Sequence, residues 1–344
     1  MKKHFKLIYW PITCLISLTL SFISCEDSQP KDKINVIFDT DANNELDDQH
    51  AIAYLLFNGD HFHVHGITVN KTQNGGEIEK HMEEAERVVE LCGLKGIMPV
   101  FRGASSTFDS IKNDLRNPAF DGKEAVDFII GTAKAVTGEK LTIIAVGKIT
   151  NVALAIHKAP EIIPAIKVVW LGSNYPEPGE YNQIADESAL NYVLDTDVEL
   201  EIVLVRAEKP SGTYAVTARL EDIQETMPGK GPRLKTPVKG RRGGLFYTFG
   251  DYSLNLWYTR YDYFDWEDPA LALFDVAAVA VVKNIEWSDR ISIPAPYLND
   301  SGIWTARPDN SREIFLRENF NKRRIIEDFY NTMENYVLVQ SVEE

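Results

Sequence analysis

Short apolar runs alternate with amphipathic helix patterns along most of this chain, and that alternation limits the folds open to it. The run from Ile34 to Phe38 is of the buried-strand type, and a helix pattern follows from about Leu46 to Phe57. Strands that alternate with helices predict an α/β fold: a mostly parallel, doubly wound sheet with helices on both faces, in a single domain. Ligands of such sheets bind beyond the carboxyl ends of the strands.

The same patterns predict further elements in both halves of the chain. Strands are predicted from His63 to Val69, Leu141 to Val146, Ile166 to Leu171 and Glu199 to Val205. Helices are predicted from Glu77 to Leu91, Lys123 to Thr137, Thr150 to Lys158, Glu187 to Leu194, Ala270 to Val282 and Phe320 to Tyr336. The order of these elements leaves one long irregular stretch.

This stretch extends from about Arg206 to Asp268. Its part from Gly229 to Gly244 carries six basic residues and many Gly and Pro, and we expect a mobile surface loop there. An aromatic block follows, which forms either a small hydrophobic subdomain or a lid that stacks on a ligand. The block consists of Tyr252, Trp257, Tyr258, Tyr261, Tyr263, Phe264 and Trp266.

The overall charge bears on the partners of the chain. Its 36 basic and 51 acidic residues give a formal charge of −15. A nucleic-acid partner requires a basic face, so this balance argues against one. Of the three cysteines, Cys14 and Cys25 fall close to the N-terminus, which excludes a disulfide framework. Cys92 lies on the apolar side of a helix pattern, and we expect an inert core residue.

The N-terminal residues have the pattern of a targeting signal. Three lysines precede an apolar run from Leu7 to Ile23, and Ser24-Cys25 and a polar stretch follow it. This pattern resembles a bacterial lipoprotein signal with Cys25 as the lipidated residue; a permanent membrane anchor is the alternative. We therefore divide the chain into a signal peptide (1–24), a polar tether (25–33) and a folded domain (34–344). The expected location is the bacterial cell envelope, on the periplasmic or outer-surface side, with membrane contact only through the lipid.

Four aspartates gather where the first strand ends and the first helix begins. Asp39 and Asp41 point the same way if the strand continues, because side chains alternate along a strand. Asp47 and Asp48 stand at the helix N-terminus, where capping accounts for one of them. A divalent cation would offset the mutual repulsion of all four, and oxygen ligands suit Ca²⁺ or Mg²⁺.

This cluster resembles the D-x-D-P-G-x-D-D signature of the inosine-uridine-preferring nucleoside hydrolases. Here Ala42 to Leu46 replace the three residues P-G-x, which is an expansion by two residues. Later segments resemble further family motifs in the same order, over about residues 34–283. These segments are Ala145 to Leu154, with Lys148 in place of Pro, then Leu171 to Asn174, Gly179 to Asn182, Asp186 to Ala189 and Leu273 to Ala277.

The resemblance implies an activity and a set of site residues. The activity is Ca²⁺-dependent hydrolysis of the N-glycosidic bond of ribonucleosides or a related riboside, which releases the base and ribose. The implied Ca²⁺ ligands are Asp41, Asp48, Asp275 and the backbone carbonyl of Thr150, and Asp41 is also the implied general base. The ribose hydroxyls are assigned to Asp47, Asn174, Glu180 and Asn182, with Asp39 as a support behind the metal ligands and either Gln73 or Asn74 as a further contact.

One departure from the family pattern concerns the leaving group. Relatives that accept pyrimidines carry a His as leaving-group acid just before the last Asp, whereas this chain carries Phe274. A phenyl ring cannot transfer a proton. Another group therefore protonates the base, or aromatic stacking assists its departure, or the base leaves without help. An aromatic leaving-group pocket would consist of Phe274, Trp257, Tyr258 and Tyr261.

Two other functions compete with hydrolysis of ribosides. A lipoprotein that binds Ca²⁺ and ribose but turns over weakly would retain the carboxylates without the acid. Ile37 to Asp41 also resembles the opening motif of haloacid-dehalogenase-type phosphatases, but Gly250-Asp251 lacks the second Asp that this class requires. The base and the oligomeric state, including a homo-oligomer, stay open.

Overall fold

A computed structural model describes residues 33–260 and 269–339 of the chain, and a central eight-stranded sheet organises them. The strands of the described residues are β1 (Ile34–Thr40), β2 (Phe62–Val69), β3 (Val100–Arg102), β4 (Leu141–Ala145), β5 (Ile166–Gly172), β6 (Glu199–Leu204), β7 (Thr217–Arg219), β8 (Val238–Lys239), β9 (Leu245–Phe246), β10 (Ala270–Ala272), β11 (Asp289–Pro294), β12 (Tyr297–Leu298), β13 (Trp304–Thr305) and β14 (Glu313–Glu318). The helices are α1 (Asp47–Leu56), α2 (Ile78–Leu91), α3 (Phe108–Ile111), α4 (Lys123–Ala135), α5 (Thr150–Lys158), α6 (Tyr181–Ala185), α7 (Glu187–Leu194), α8 (Leu220–Thr226), α9 (Phe249–Tyr258), α10 (Phe274–Lys283) and α11 (Lys322–Glu334).

The strand order of the central sheet is β11-β14-β6-β5-β4-β1-β2-β3. Only the pair β11 and β14 is antiparallel among these described strands, and every other neighbouring pair is parallel. The predicted α/β class with a mostly parallel sheet is therefore confirmed. β1 lies between β4 and β2, so its carboxyl end opens onto the middle of the sheet edge, where ligands of such folds bind.

Helices cover both faces of this sheet, which explains why its strands are apolar along their whole length. Val36 and Phe38 pack into one hydrophobic cluster, whereas Ile37 between them packs into the other. The first cluster contains residues of α1, α2, α9, α10 and α11, and the second contains residues of α4, α5 and α7. Both faces of β1 are thus buried, and its position is fixed from two sides.

One predicted helix begins later than the apolar pattern indicated. The structure has the short strand β10, which pairs antiparallel with β7, where the prediction had helix from Ala270. α10 then begins at Phe274, because the preceding residues take up extended pairing with β7. This correction matters for the site, since it places Phe274 and Asp275 in the first turn of α10.

The basic segment, residues 229–244, and the aromatic block also have a described structure in part. β8 and β9 form a small antiparallel pair within and next to the basic segment. Tyr252 and Trp257 of the aromatic block are buried in the core cluster that contains α9. Tyr258 is exposed at the end of α9. The other members of the block, Tyr261, Tyr263, Phe264 and Trp266, lie outside the described residues, as do residues 1–32, which contain the predicted signal and nearly all of the tether.

Two remaining expectations concern single features. Within residues 33–260 and 269–339, none of the helices has the length and apolar character needed to cross a bilayer.

Cys92 is fully buried at the end of α2, and burial raises the pKa of its thiol well above the usual range. The thiolate form is therefore disfavoured, as expected for an unreactive core cysteine.

Candidate active site

The carboxylates predicted from the acidic cluster converge at the carboxyl end of β1. Asp41 follows β1 directly, Asp47 and Asp48 begin α1, and Asp275 lies in the first turn of α10. Together they line a cavity of about 330 Å³, which we call the reaction cavity. The other residues that line it are Asn44, Glu45, Asn74, Val146, Leu171, Asn174, Gly179, Glu180, Tyr181, Asn182, Val205, Ala207 and Phe274.

Three of these carboxylates are close enough to share one cation. Oxygen atoms of Asp47, Asp48 and Asp275 all lie within 4.8 Å of one another, and the three residues are buried. The Thr40 hydroxyl donates a hydrogen bond of 2.5 Å to Asp48, and the backbone N–H of Asp275 donates one of 3.4 Å to Asp47. Two elements far apart in the chain, α1 and α10, therefore supply one cluster.

The buried, closely spaced carboxylates of this cluster favour the binding of a positive charge. Burial raises the pKa of Asp48 and of Asp275 well above the usual range, and the neighbouring carboxylates raise both further. Burial likewise raises the pKa of Asp41 and of Asp47, to about 7. Buried carboxylates this close stay ionised together only when a positive charge compensates them. A set of hard oxygen donors fits Ca²⁺ or Mg²⁺.

Asp41 and Asp39 are held in different ways. The Thr72 hydroxyl donates to Asp41, whose other surroundings open to the reaction cavity, and the His81 ring bonds the Asp41 carbonyl at 2.8 Å. Asp39 is fully buried and does not line the reaction cavity. Its carboxylate accepts hydrogen bonds from Thr68 at 2.6 Å, Asn70 at 2.7 Å and Asn151 at 2.7 Å. Burial still raises the pKa of Asp39 to about 6, although these donors oppose the rise.

Glu180 and Asn182 are ordered by the turn after β5 and by α6. Glu180 caps α6, and its carboxylate accepts from the backbone N–H of Ser173 at 2.9 Å and of Gln183 at 3.0 Å. Ser173 has φ of +69°, in the left-handed region, where the family motif has glycine. The Asn182 amide donates to the carbonyls of Val146 at 2.8 Å and Leu171 at 3.1 Å.

Asn174 completes this wall of the reaction cavity. Its Nδ2 donates to the Gly179 carbonyl at 2.5 Å, and its Oδ1 accepts from the Ala207 N–H at 2.9 Å. Of the four side chains predicted to hold ribose, Asn174, Glu180 and Asn182 thus face the same cavity as Asp47 and the other carboxylates. Their polar groups are fixed before a ligand arrives, which favours precise binding of a sugar.

Several predicted residues are not brought to the reaction cavity. Thr150, whose carbonyl was the predicted ligand, is the first residue of α5 and does not line the cavity. Its hydroxyl donates a hydrogen bond of 2.5 Å to Asp186. Carbonyls at the start of a helix accept intrahelical hydrogen bonds. Val146 is the residue of this motif that lines the cavity. Trp257 packs in the core, and Tyr258 is exposed and accepts a hydrogen bond from Gln224 at 2.7 Å.

The structure distinguishes between Gln73 and Asn74, the two alternatives for a further ribose contact near β2. Asn74 lines the reaction cavity, whereas Gln73 is exposed and does not. Phe274, the residue before Asp275, also lines the cavity. Asp251, the residue considered for a phosphatase motif, lies in α9 and accepts from the Gly229 N–H at 2.9 Å, away from the cavity.

Some site residues were not found from the sequence. Asn70 follows β2 directly and holds Asp39, and Thr72 and Tyr181 form a chain of hydrogen bonds in which the Tyr181 hydroxyl donates to Thr72 at 3.2 Å. The available signal was position, because Asn70 stands at the carboxyl end of the strand beside β1. Lys148, in place of the family proline, is buried and donates to the carbonyls of Ser105 and Ser106.

The comparison with known families agrees with this geometry. A mostly parallel sheet with buried carboxylates and further polar side chains around a cavity at its carboxyl edge is the arrangement of a small-molecule site. The sequence profile described as "Inosine-uridine preferring nucleoside hydrolase" matches residues 36–317. The chain belongs to this family, as the motifs predicted, and membership classes it with hydrolases that act on the N-glycosyl bond of nucleosides.

Curated relatives match over part of their length. The inosine-uridine preferring nucleoside hydrolase of Leishmania major is 24% identical over 211 residues, which cover 55% of this chain and 66% of that enzyme. The pyrimidine-specific ribonucleoside hydrolase RihB of Escherichia coli is 31% identical over 110 residues, or 30% of this chain and 35% of that enzyme. The chain thus spans at most about two thirds of the curated relatives named here.

Solved structures show the same fold over nearly the whole described chain. An inosine-guanosine nucleoside hydrolase superposes with a TM-score of 0.68 at 16% identity, covering 89% of this chain and 100% of that one. The purine-preferring ribonucleoside hydrolase of Gardnerella vaginalis gives 0.67 at 19% identity, covering 87% and 98%. At these identities the likeness concerns the fold.

Proposed function

We propose that this protein hydrolyses the N-glycosidic bond of a ribonucleoside or related riboside in a Ca²⁺-dependent reaction that releases the base and ribose. The observation that carries the proposal is the buried cluster of Asp47, Asp48 and Asp275 beside Asp41. The cluster lies in a cavity whose lining also includes amide and carboxylate groups suited to ribose hydroxyls. A cavity of about 330 Å³ also falls in the size range of small-molecule sites.

The residues divide the work as follows. Asp48, Asp275 and Asp41 would hold the Ca²⁺, with Asp47 close enough to join them or to accept a ribose hydroxyl. When bound, the ion supplies positive charge that favours ionised carboxylates and a more acidic water. Asn174, Glu180 and Asn182 would bind and orient the ribose through the polar atoms that face the reaction cavity.

Asp41 would act as the general base. Water attacks C1′ of the ribose, its proton passes to the Asp41 carboxylate, and the bond from C1′ to the base breaks with its electron pair on the base. The sugar develops oxocarbenium character on the way, which the surrounding anionic groups stabilise. Thr72 holds Asp41 by donating its hydroxyl, so the carboxylate keeps one orientation.

A panel of nucleosides tests the proposal directly. Free base released with Ca²⁺ and not with EDTA would support hydrolysis. Phosphate released from phosphoesters would point instead to a phosphatase, and ligand-induced thermal stabilisation without turnover would point to the second candidate. That candidate is a catalytically weak lipoprotein that binds Ca²⁺ and ribose, and the replacement of the family acid by Phe274 is the observation that favours it.

The leaving group should decide the rate, because Phe274 cannot donate a proton. General acid catalysis contributes about 10²–10⁴-fold where the leaving group is poor. We expect nitrophenyl riboside to be cleaved well, because its nitrophenolate leaves without protonation, and we expect uridine to be cleaved poorly. Purine ribosides should lie between, since Phe274 lines the reaction cavity and offers a ring for stacking.

The measurement is kcat/KM for nitrophenyl riboside, inosine and uridine on one preparation. Uridine turned over as fast as nitrophenyl riboside would reveal an acid that replaces the histidine, and the role given to Phe274 would be wrong. Trp257 and Tyr258 are not expected to matter for this ranking, because neither lines the reaction cavity. A Tyr258→Phe variant is therefore a suitable control.

We also propose that the protein is anchored in the bacterial cell envelope by a lipid on Cys25. The support is the N-terminal pattern of lysines, an apolar run and Ser24-Cys25. We expect Cys25→Ser to abolish incorporation of labelled palmitate, because the acceptor thiol is gone, while Cys92→Ser leaves it unchanged. Labelling that persists in Cys25→Ser would contradict the lipoprotein assignment.

A further inference from the structure

The basic segment, residues 229–244, has no role in the proposed hydrolysis. Two of its arginines, Arg241 and Arg242, line a second cavity of about 380 Å³, which we call the basic cavity. α2 contributes Lys80 and Arg87 to it, and Glu83 is the one acidic side chain among the described residues that line it. In a chain with a formal charge of −15, such a local excess of positive charge favours an anionic ligand.

Ion pairs engage Lys80 and Arg87 but not Arg241 among the described residues. Lys80 pairs with Glu83 at 2.8 Å, and Arg87 pairs with the buried Glu84. Arg241 makes no ion pair with any residue in the ranges 33–260 and 269–339, and its Nη1 reaches only the Asn43 amide oxygen, at 3.4 Å. Its buried Nε also finds no acceptor within those ranges. A guanidinium N–H without an acceptor is costly, so the geometry favours an acceptor supplied by a ligand.

The basic cavity adjoins the reaction cavity. Asn44 lines both, and the neighbours Asn74 and Gly75 line one cavity each. Asn43 donates a hydrogen bond of 2.6 Å to the Gly75 carbonyl, and Gly75 has φ of +83°. A Cβ at Gly75 would lie 2.9 Å from the Asn43 carbonyl oxygen, so the two segments are in close contact. Asn43 and Asn44 lie in the expanded loop of the acidic motif, so this loop forms the partition between the two cavities.

We propose that the basic cavity binds a phosphate group next to the riboside. The proposal rests on the proposed function for the identity of the neighbouring ligand. A phosphate monoester carries about −1.5 to −2 charge at pH 7 and presents three strong acceptor oxygens. These match the forked donors of Arg241 and the ammonium of Lys80. The phosphate belongs either to the riboside itself, which would extend past Asn44, or to free orthophosphate.

The test compares the wild type with Arg241→Gln and Lys80→Gln, which each remove one charge from the basic cavity. Lys235→Gln is the matched control, because Lys235 is exposed in the same segment and does not line the basic cavity. Binding of inorganic phosphate is measured by isothermal titration calorimetry at low ionic strength, with sodium chloride as the blank. A second arm compares kcat/KM for inosine 5′-monophosphate and inosine.

We expect phosphate binding to weaken about tenfold in both cavity variants, the scale of one charge-assisted hydrogen bond, and to persist in Lys235→Gln. If the phosphate is part of the riboside, the wild type will also prefer inosine 5′-monophosphate to inosine, and both cavity variants will lose that preference. A free phosphate predicts the binding result without the preference. Lys80→Gln keeps the test decisive if Arg241→Gln fails to fold, since Lys80 is largely exposed.

The proposal is overturned if phosphate binds no better than chloride and no preference for the monophosphate exists. Equal phosphate binding by the wild type and both cavity variants would overturn it as well. Cleavage of nitrophenyl riboside is measured on the same proteins, because it reports on the proposed hydrolysis alone. Failure of that reaction with intact phosphate binding would reject the proposed function and leave the phosphate site standing.

Discussion

Replacing Asp41 by asparagine is expected to lower kcat by about 10²-fold or more, the scale of losing a general base. Asparagine retains the shape of the side chain and an oxygen that can accept from Thr72, but it cannot take a proton from water. The fold should therefore survive, and KM should change less than kcat, because the ribose-binding wall is untouched. Steady-state kinetics with nitrophenyl riboside measures both values without any contribution from leaving-group protonation.

Asp309→Asn is the matched control for this substitution. Asp309 is exposed and is not among the residues that line the reaction cavity, so the same chemical change there should leave kcat unaltered. Turnover of Asp41→Asn near the wild-type rate would show that another group activates the water. The neighbouring Asp47 would then be the next candidate, since it lines the same cavity.

Replacing Asp275 by alanine is expected to abolish bound Ca²⁺ and activity together while the fold persists. Asp275 is one of three carboxylates whose oxygens lie within 4.8 Å of one another. Its loss therefore leaves the ion short of one anionic ligand. In the metal-free protein the substitution also removes a buried carboxylate that its neighbours repel. We therefore expect the Tm without Ca²⁺ to be maintained.

The measurements are elemental analysis of the purified protein and thermal unfolding with and without Ca²⁺. Ca²⁺ should raise the Tm of the wild type, because a ligand that binds only the folded state stabilises it, and should not raise that of Asp275→Ala. Asp309→Ala serves as the control and should keep both the ion and the Tm rise. A full equivalent of Ca²⁺ in Asp275→Ala would reject the assignment of the metal site.

The fold could be predicted because its determinants are local and repeated. Apolar runs of strand length separated by amphipathic helix patterns have only a few parallel arrangements that bury both faces of a sheet. The predicted helix from Thr150 to Lys158 agrees with α5 at both ends. The error at Ala270 has an equally clear cause, because extended pairing of β10 with β7 overrode an apolar pattern that fits strand and helix alike.

The site could be predicted in part. Asp41, Asp47 and Asp48 stand within one strand, loop and helix, so their proximity follows from neighbouring positions in the chain. The sequence could not decide whether Gln73 or Asn74 contacts the ribose, because the path of the loop determines which of two neighbouring amide side chains faces the cavity. The aromatic pocket was wrong for Trp257 and Tyr258, because an aromatic pattern on a helix does not reveal whether that face meets a ligand or the core.

Local order in the chain therefore carries the class of fold, the acidic motif and, through its later segments, the family. Tertiary structure alone decides which distant groups meet, because strand order and helix packing are properties of the whole chain. Asp275 meets Asp47 across 228 positions, and the Tyr181 hydroxyl reaches Thr72 across 109. The same packing brings Arg241 to the expanded loop at Asn43 across 198 positions and so creates the basic cavity beside the reaction cavity. No local periodicity encodes such contacts, since their energy comes from burying whole elements against one another.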